Sequence, residues 1–251
     1  MTQPLANAMP AAGSPNAGAQ PRSRHGFFVG MSVLLLATVL VGFAPSFYLK
    51  TYFETRPLPV HLHLHGVVLT TWFLLFFVQT SLVASHRTNL HRRFGVAGAV
   101  LAAAVVVVSM VVTIRSVPRL TLNGASLDQI VLTVSNSIPA VIVFLLLVLC
   151  GLSFRRRPET HKRLMLLSCI SIIGPAVSRL PGVRESPAIN PVVLFSLLLA
   201  LILHDCVVNK RVHPATLWGE LLIILSLVFS GVIFLSSVGP ALVRLLGSVS
   251  V

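Results

Sequence analysis

The chain has 251 residues, of which 55% are hydrophobic and only 10% charged, and 19 Lys and Arg against 6 Asp and Glu give a formal net charge of +13. A soluble domain carries about 25% charged residues, so this composition excludes an ordinary water-soluble globule. The bases stand in short clusters between long apolar runs, a pattern of membrane loops beside an anionic leaflet, which disfavours nucleic acid and makes the lipid bilayer the first expected partner.

Residues 1–24 are rich in Ala, Pro, Gly, Asn, Gln and Ser and carry only Arg22 and Arg24 as charges. They show no apolar periodicity and predict a disordered tail ahead of a transmembrane domain over 25–251. The apolar stretch from Phe27 to Leu49 exceeds a signal core of about 7–15 residues and is expected to remain as the first span.

A hydrocarbon layer about 30 Å thick takes about 20 helical residues. Segments of that length recur at 27–49, 66–85, 95–114, 130–154, 164–183, 191–208 and 221–243. The predicted fold class is an all-α integral membrane protein, a bundle of about seven transmembrane helices; continuous, non-alternating runs speak against transmembrane strands. The fifth segment is the weak one, because its apolar part, Leu164 to Val177, has 14 residues and is followed by Ser178 and Arg179. That length equally suits a re-entrant piece. Assigning Lys and Arg to alternate loops gives twelve on one side and seven on the other. The N-terminus is therefore expected on the cytoplasmic side of the membrane and the C-terminus on the opposite side.

Cys150, Cys169 and Cys206 lie within or at the ends of apolar runs without CxxC spacing, which fits helix packing better than disulfides or structural zinc. The nine histidines are more informative, since eight fall at helix ends or in short loops and His204 sits near the inner end of the sixth run. His25, His91, His161 and His213 each precede an odd-numbered helix, so all four are expected on the cytoplasmic edge. With His86, His204 and Asp205 nearby, they suggest haem b or a transition metal held by imidazoles from different helices. The simpler reading is that His beside Arg and Lys anchors helix ends to lipid phosphates.

On the other side stand His61, His63 and His65 in an HLHLH run after Pro57 and Pro59. As a helix the run puts His61 and His65 on one face; as an extended segment it puts all three together, and either geometry suits a metal ion. No other predicted helix carries a His at that edge, which speaks against a two-haem wire with paired histidines on each side. The HxxHH boxes of membrane di-iron enzymes are absent, and no nucleotide-binding glycine loop, HExxH or Ser/His/Asp arrangement stands out.

Polar groups inside apolar runs are costly in lipid and tend to face the bundle interior. Gln79 in the second segment and Ser135, Asn136 and Ser137 before Pro139 in the fourth are such groups, and the latter predict a kink. Asp205 and Glu220 are expected to pair with Lys210, Arg211 and the histidines, Gln79, Asn136 and Asp205 having structural or proton-handling roles. Arg87, Arg92 and Arg163 are candidates for binding a substrate or lipid phosphate.

The stretches HLHG (63–66), Trp72, QTSLVA (79–84), LHRRFGVAG (90–98), RRRPETHKRLMLL (155–167) and RVHPATLWGELL (211–222) resemble a widespread group of bacterial polytopic membrane proteins of unassigned function. The His-Arg-Arg and His-Lys-Arg-Leu-Met elements are more distantly similar to membrane proteins of haem-copper oxidase assembly. The resemblance implies an inner-membrane location and marks His65, Gln79, Arg87, His91, Arg92, His161, Arg163, Asp205 and His213; members of the group carry an aromatic where this chain has His204. Two functions follow. One is a histidine-rich cytoplasmic-edge site, with His65, His91, His161 and His213 as cofactor ligands, holding haem b or a transition metal for redox chemistry or oxidase maturation beside a membrane redox partner or oxidase subunit. The other is a cofactor-free module that transports or binds a small anionic substrate or lipid.

Overall fold

The computed structural model describes residues 23–54, 57–186 and 188–249, and the fold is all-helical. Its elements are α1 (Ser23–Phe43), continued by a π-helical turn (Ala44–Tyr48), α2 (Val60–Ala84), α3 (Thr88–Leu122), α4 (Leu127–Ser153), α5 (Pro158–Ser171), α6 (Gly174–Val177), α7 (Ile189–Asn209), α8 (Pro214–Leu235) and α9 (Val238–Val249). Six of them, α1 with its π-helical turn, α2, α3, α4, α7 and α8, are long and apolar enough to cross a membrane. Large apolar side chains such as Val100, Leu199, Val228 and Phe229 face outward from them. In water such surfaces would be a liability; in a bilayer they are the lipid contact. The chain is a multi-pass helical membrane bundle.

Residues 1–22 of the expected tail, and the side chain of His25, lie outside the described residues, while Ser23 and Arg24 already belong to α1. The other helices fall where the apolar runs put them, with shifted ends. α3 extends over 35 residues, about 52 Å at 1.5 Å per residue, because nothing in LHRRFG breaks a helix and the stop comes only at Asn123-Gly124, where Gly124 takes φ +75°. The seventh segment starts earlier than 221, since His213-Pro214 supplies an N-cap and a proline at the first helical position. It also ends earlier, at Leu235, and α9 folds back so that Val243 and Leu246 pack on Val117, Ile130, Val131 and Val134. α4 runs unbroken through Pro139.

The fifth segment resolves into a broken interior helix. α5 has 14 residues, about 21 Å, and ends at Ser171 because the ring of Pro175 clashes with the carbonyl four residues earlier. α6 then continues the path. Leu166, Leu167, Cys169, Ile170, Ile173 and Val177 are all fully buried, so other helices and not lipid surround the break. Irregular backbone at membrane depth is tolerated only in such a position. The segment reaches the far edge: Ala176 lies against Gly42 near the end of α1, and the Arg179 guanidinium stands 4.8 Å from the Phe43 ring centroid.

Gly42 is required there, because a Cβ would come within 2.3 Å of the Ala176 carbonyl oxygen, whereas a Cβ on Gly30 of the same helix meets nothing within 4 Å. Overpacking of this kind costs about 1–3 kcal/mol. Gly42→Ala is expected to lower the melting temperature of the detergent-solubilised protein by several degrees and Gly30→Ala to leave it unchanged or slightly raised; equal effects would show that α6 does not pack on α1.

Candidate functional site

Consecutive long helices alternate in direction, so the turns before α3, α5 and α8 gather at one edge of the bundle together with the start of α1. This is the basic edge. Its turns are tight: His86 and Lys210 both adopt left-handed φ, 60° and 57°, and Pro158 and Pro214 open the helices that follow. His91 and His161 are thereby set about one turn inside α3 and α5, and His213 is the N-cap of α8.

At the centre of this edge is a buried ion pair. The side chains of Arg163 and Asp205 are both wholly shielded. Arg163 Nε donates to the two Asp205 oxygens at 3.1 and 3.2 Å, and Nη2 donates to Oδ1. The same carboxylate accepts from Asn209 Nδ2 (3.2 Å), the His213 backbone N–H (3.1 Å) and the Thr216 hydroxyl (2.6 Å). Arg163 Nη1 turns back to the Glu159 carbonyl and carboxylate, each at 2.7 Å. A charge pair out of water is tolerable only when its remaining donors and acceptors are satisfied in this way. Burial works against the Glu159 charge, but hydrogen bonds from Lys162 and Arg163 outweigh it and hold the carboxyl at about 2.

The histidines around this knot do different things. His213 Nδ1 accepts the Ala215 backbone N–H at 3.1 Å, capping α8. Burial and the neighbouring Arg163 push its imidazole below the ordinary range, against the pull of Asp205 and Glu159. His204 stacks on Phe27 with ring centroids 4.1 Å apart and meets Phe28 edge-on; its Nδ1 is 3.7 Å from Asp205 Oδ1, too long for a hydrogen bond, and both ring nitrogens are buried without partners.

His91 and His161 form a pair, with ring centroids 6.1 Å apart and planes at 80°. His161 Nδ1 lies 2.8 Å from the Gly151 carbonyl; a carbonyl only accepts, so this nitrogen carries a proton and in the neutral ring Nε2 holds the lone pair. Gln79 of α2 reaches His91 with its amide nitrogen 2.8 Å from Nδ1 and its oxygen 3.2 Å from the Gly95 N–H. In that orientation His91 Nδ1 accepts and Nε2 carries the proton. The two rings thus present one Nε2–H and one bare Nε2.

Several expectations are corrected. Arg163 is not open to a substrate or lipid phosphate, since carboxylates saturate it. Asn136 is exposed on α4 and not turned into the bundle, while Ser135 beside it is buried with its hydroxyl unpartnered. Glu220 is buried, yet among the described residues it has no ion-pair partner. HLHLH is helical from Val60, so successive histidines, two residues apart, stand about 200° apart around the axis: His61 and His65 are half-buried and His63 is exposed. Among the described residues no group of three or more His, Cys, Asp or Glu is placed to hold a metal ion. His65 is at the opposite edge from His91, His161 and His213, and ring contacts join only the first two of these three.

Arg87 and Arg92 are exposed on the basic edge, as are Arg93, Arg155, Arg156, Arg157, Lys210 and Arg211. Among the described residues the acids of this edge pair only with Lys162 and Arg163 and, at long range, His204. Sequence reasoning missed Glu159, Asn209 and Thr216 as partners in the knot; the i,i+4 spacing of Glu159 and Arg163 is the one signal that was present. No protein-family model, curated protein or solved structure matches the chain.

Removing one partner of a buried ion pair costs about 3–5 kcal/mol. Asp205→Ala is expected to destabilise by that order and Arg163→Met/Asp205→Leu by clearly less, a coupling measurable by double-mutant cycles in detergent. Additive effects would deny the pair. The lowered value of His213 means that its cap contributes fully above the unfolded value of about 6.5 and is lost as pH falls through the lower folded one. Melting between pH 8 and pH 5 is expected to show a steeper acid decline in the wild type than in His213→Asn, which keeps a cap worth about 1 kcal/mol and does not titrate.

Proposed function

We propose that the chain is a cofactor-free membrane module that binds an anionic lipid headgroup or small anionic substrate at its basic edge, with that edge in the cytoplasm of a bacterial inner membrane. Arg87 and Arg92 flank His91 in the chain. One observation carries the reading: a whole layer of exposed guanidinium and ammonium groups is left without ion-pair partners among the described residues, while Asp205 and Glu159 beside it are engaged by Arg163 and Lys162. Unpaired cations at headgroup level attract anionic lipid with about 1 kcal/mol each.

The histidine pair supplies a hydrogen-bond donor and an acceptor next to that layer. An Nε2–H and an Nε2 lone pair suit an oxyanion that carries a proton, the first donating to its oxygen and the second accepting from its hydroxyl.

Haem b or a transition-metal ion, serving redox chemistry or oxidase maturation with a membrane redox partner, is the second reading. The His161 bond to the Gly151 carbonyl favours it, because ligating histidines donate their other ring N–H in this manner. It requires Gln79 to turn its oxygen toward His91 so that both Nε2 atoms become ligands.

The absorption spectrum and metal content of the purified protein separate the two. The first reading expects no Soret band and substoichiometric metal. It also expects anionic-lipid retention in native mass spectrometry that falls roughly five-fold for each charge removed in Arg87→Gln and Arg92→Gln. A Soret band lost in His161→Ala would replace it with the second.

A further inference from the structure

The edge opposite the basic one carries a second set of cations that the reading above does not use. We propose that His61 and His65 of α2, Arg115 and Arg119 of α3 and Arg179 after α6 form a binding site for a phosphate-type oxyanion. The start of α2 lies beside the end of α3, and the broken fifth segment delivers Arg179 to the same place. Arg115 and Arg119 act electrostatically on His61, Arg179 acts on His65, and Arg119 acts on Arg179, so the five groups form one connected field. Among the described residues no ion pair joins any of them to a carboxylate.

Unpartnered nitrogens within the cluster point to a ligand independently of its charge. His61 Nε2, His65 Nδ1 and Arg119 Nε are all shielded from solvent, and none has a hydrogen-bond partner. Buried polar nitrogens without partners are rare in native structures, and a bound ion is one way to satisfy them. Arg179 is already fixed, its Nη1 donating to the Pro175 carbonyl at 2.5 Å and its guanidinium lying against Phe43.

Like charges packed together repel, and Arg119, half-buried while Arg115 and Arg179 are exposed, loses part of its hydration. An oxyanion relieves both at once, accepting from the orphaned nitrogens and cancelling the repulsion; guanidinium forks suit its geometry. A metal cation would add to the positive field, which is the physical reason these histidines do not make the metal site their spacing suggests. His65 is about 7.5 Å from the start of α2, at 1.5 Å per residue, so the site lies within two turns of that helix end, and the oxyanion comes either from a lipid headgroup or from a free anion entering from the aqueous side.

The test uses the full chain in nanodiscs and reads thermal unfolding. In phosphatidylcholine discs, inorganic phosphate is titrated against chloride at matched ionic strength; in a second series phosphatidylglycerol replaces part of the phosphatidylcholine. A saturable rise of several degrees with phosphate identifies a free anion, and a rise with phosphatidylglycerol alone identifies a headgroup. Either rise is expected to fall by at least half in Arg119→Gln and in Arg179→Gln. Without phosphate in phosphatidylcholine, Arg119→Gln is expected to melt at or above the wild type, since it removes an unpaired cation. No response to either anion, responses undiminished in both variants, or an Arg119→Gln protein that melts lower or fails to fold in anion-free discs would each overturn the proposal.

Discussion

Taking Arg163 out of water is the most expensive thing this fold does on its basic edge, and the surrounding helices are arranged to offset it. Its guanidinium is fully shielded and spans two carboxylates, one from its own helix and one from α7. Asp205 in turn takes hydrogen bonds from α7, the α7–α8 turn and α8. A pair with this many satisfied partners adds little net stability relative to an apolar replacement, but it fixes register, because sliding any of the three helices by one residue leaves a charge buried and alone. The pair therefore specifies how α5 sits against α7 and α8. Close packing of α8 on α5 continues the constraint: a Cβ on Gly219 would come within 2.4 Å of Leu167 Cδ1.

The bundle was legible in the sequence because lipid leaves the backbone few alternatives, and a run of about 20 apolar residues is a strong statement about where a helix crosses. Its ends were less legible. α3 begins in LHRRFG, charged residues that hydropathy discounts but that are good helix formers, and α8 begins at a proline that reads equally well as a loop. The fifth segment was ambiguous for a physical reason: 14 apolar residues are too few to face lipid and enough to fill an interior, and only packing distinguishes the two.

The site was legible in part. His91, His161 and Gln79 are separated by up to 82 positions, and their convergence depends on which faces of α2, α3 and α5 meet. Lys162 and Arg163 are adjacent in the chain and alike in charge; helix phase alone leaves one half-exposed and locks the other away. The histidines show the same limit. A residue type that suits ligation serves here as a cap at 213, a stacked ring at 204 and a hydrogen-bonded pair at 91 and 161, and the difference lies in neighbours that no local spacing announces.

The interior break between α5 and α6 has a bearing on how the molecule is made. Helices that face lipid can leave the insertion machinery one at a time, each stable against the surrounding acyl chains. A 14-residue helix that begins with Pro-Glu-Thr-His-Lys-Arg and ends at an interrupted backbone has no such independent state. Its guanidinium gains a buried partner only once the carboxylate of α7, some forty residues later in the chain, is in place, so insertion is expected to be cooperative across the C-terminal half of the bundle.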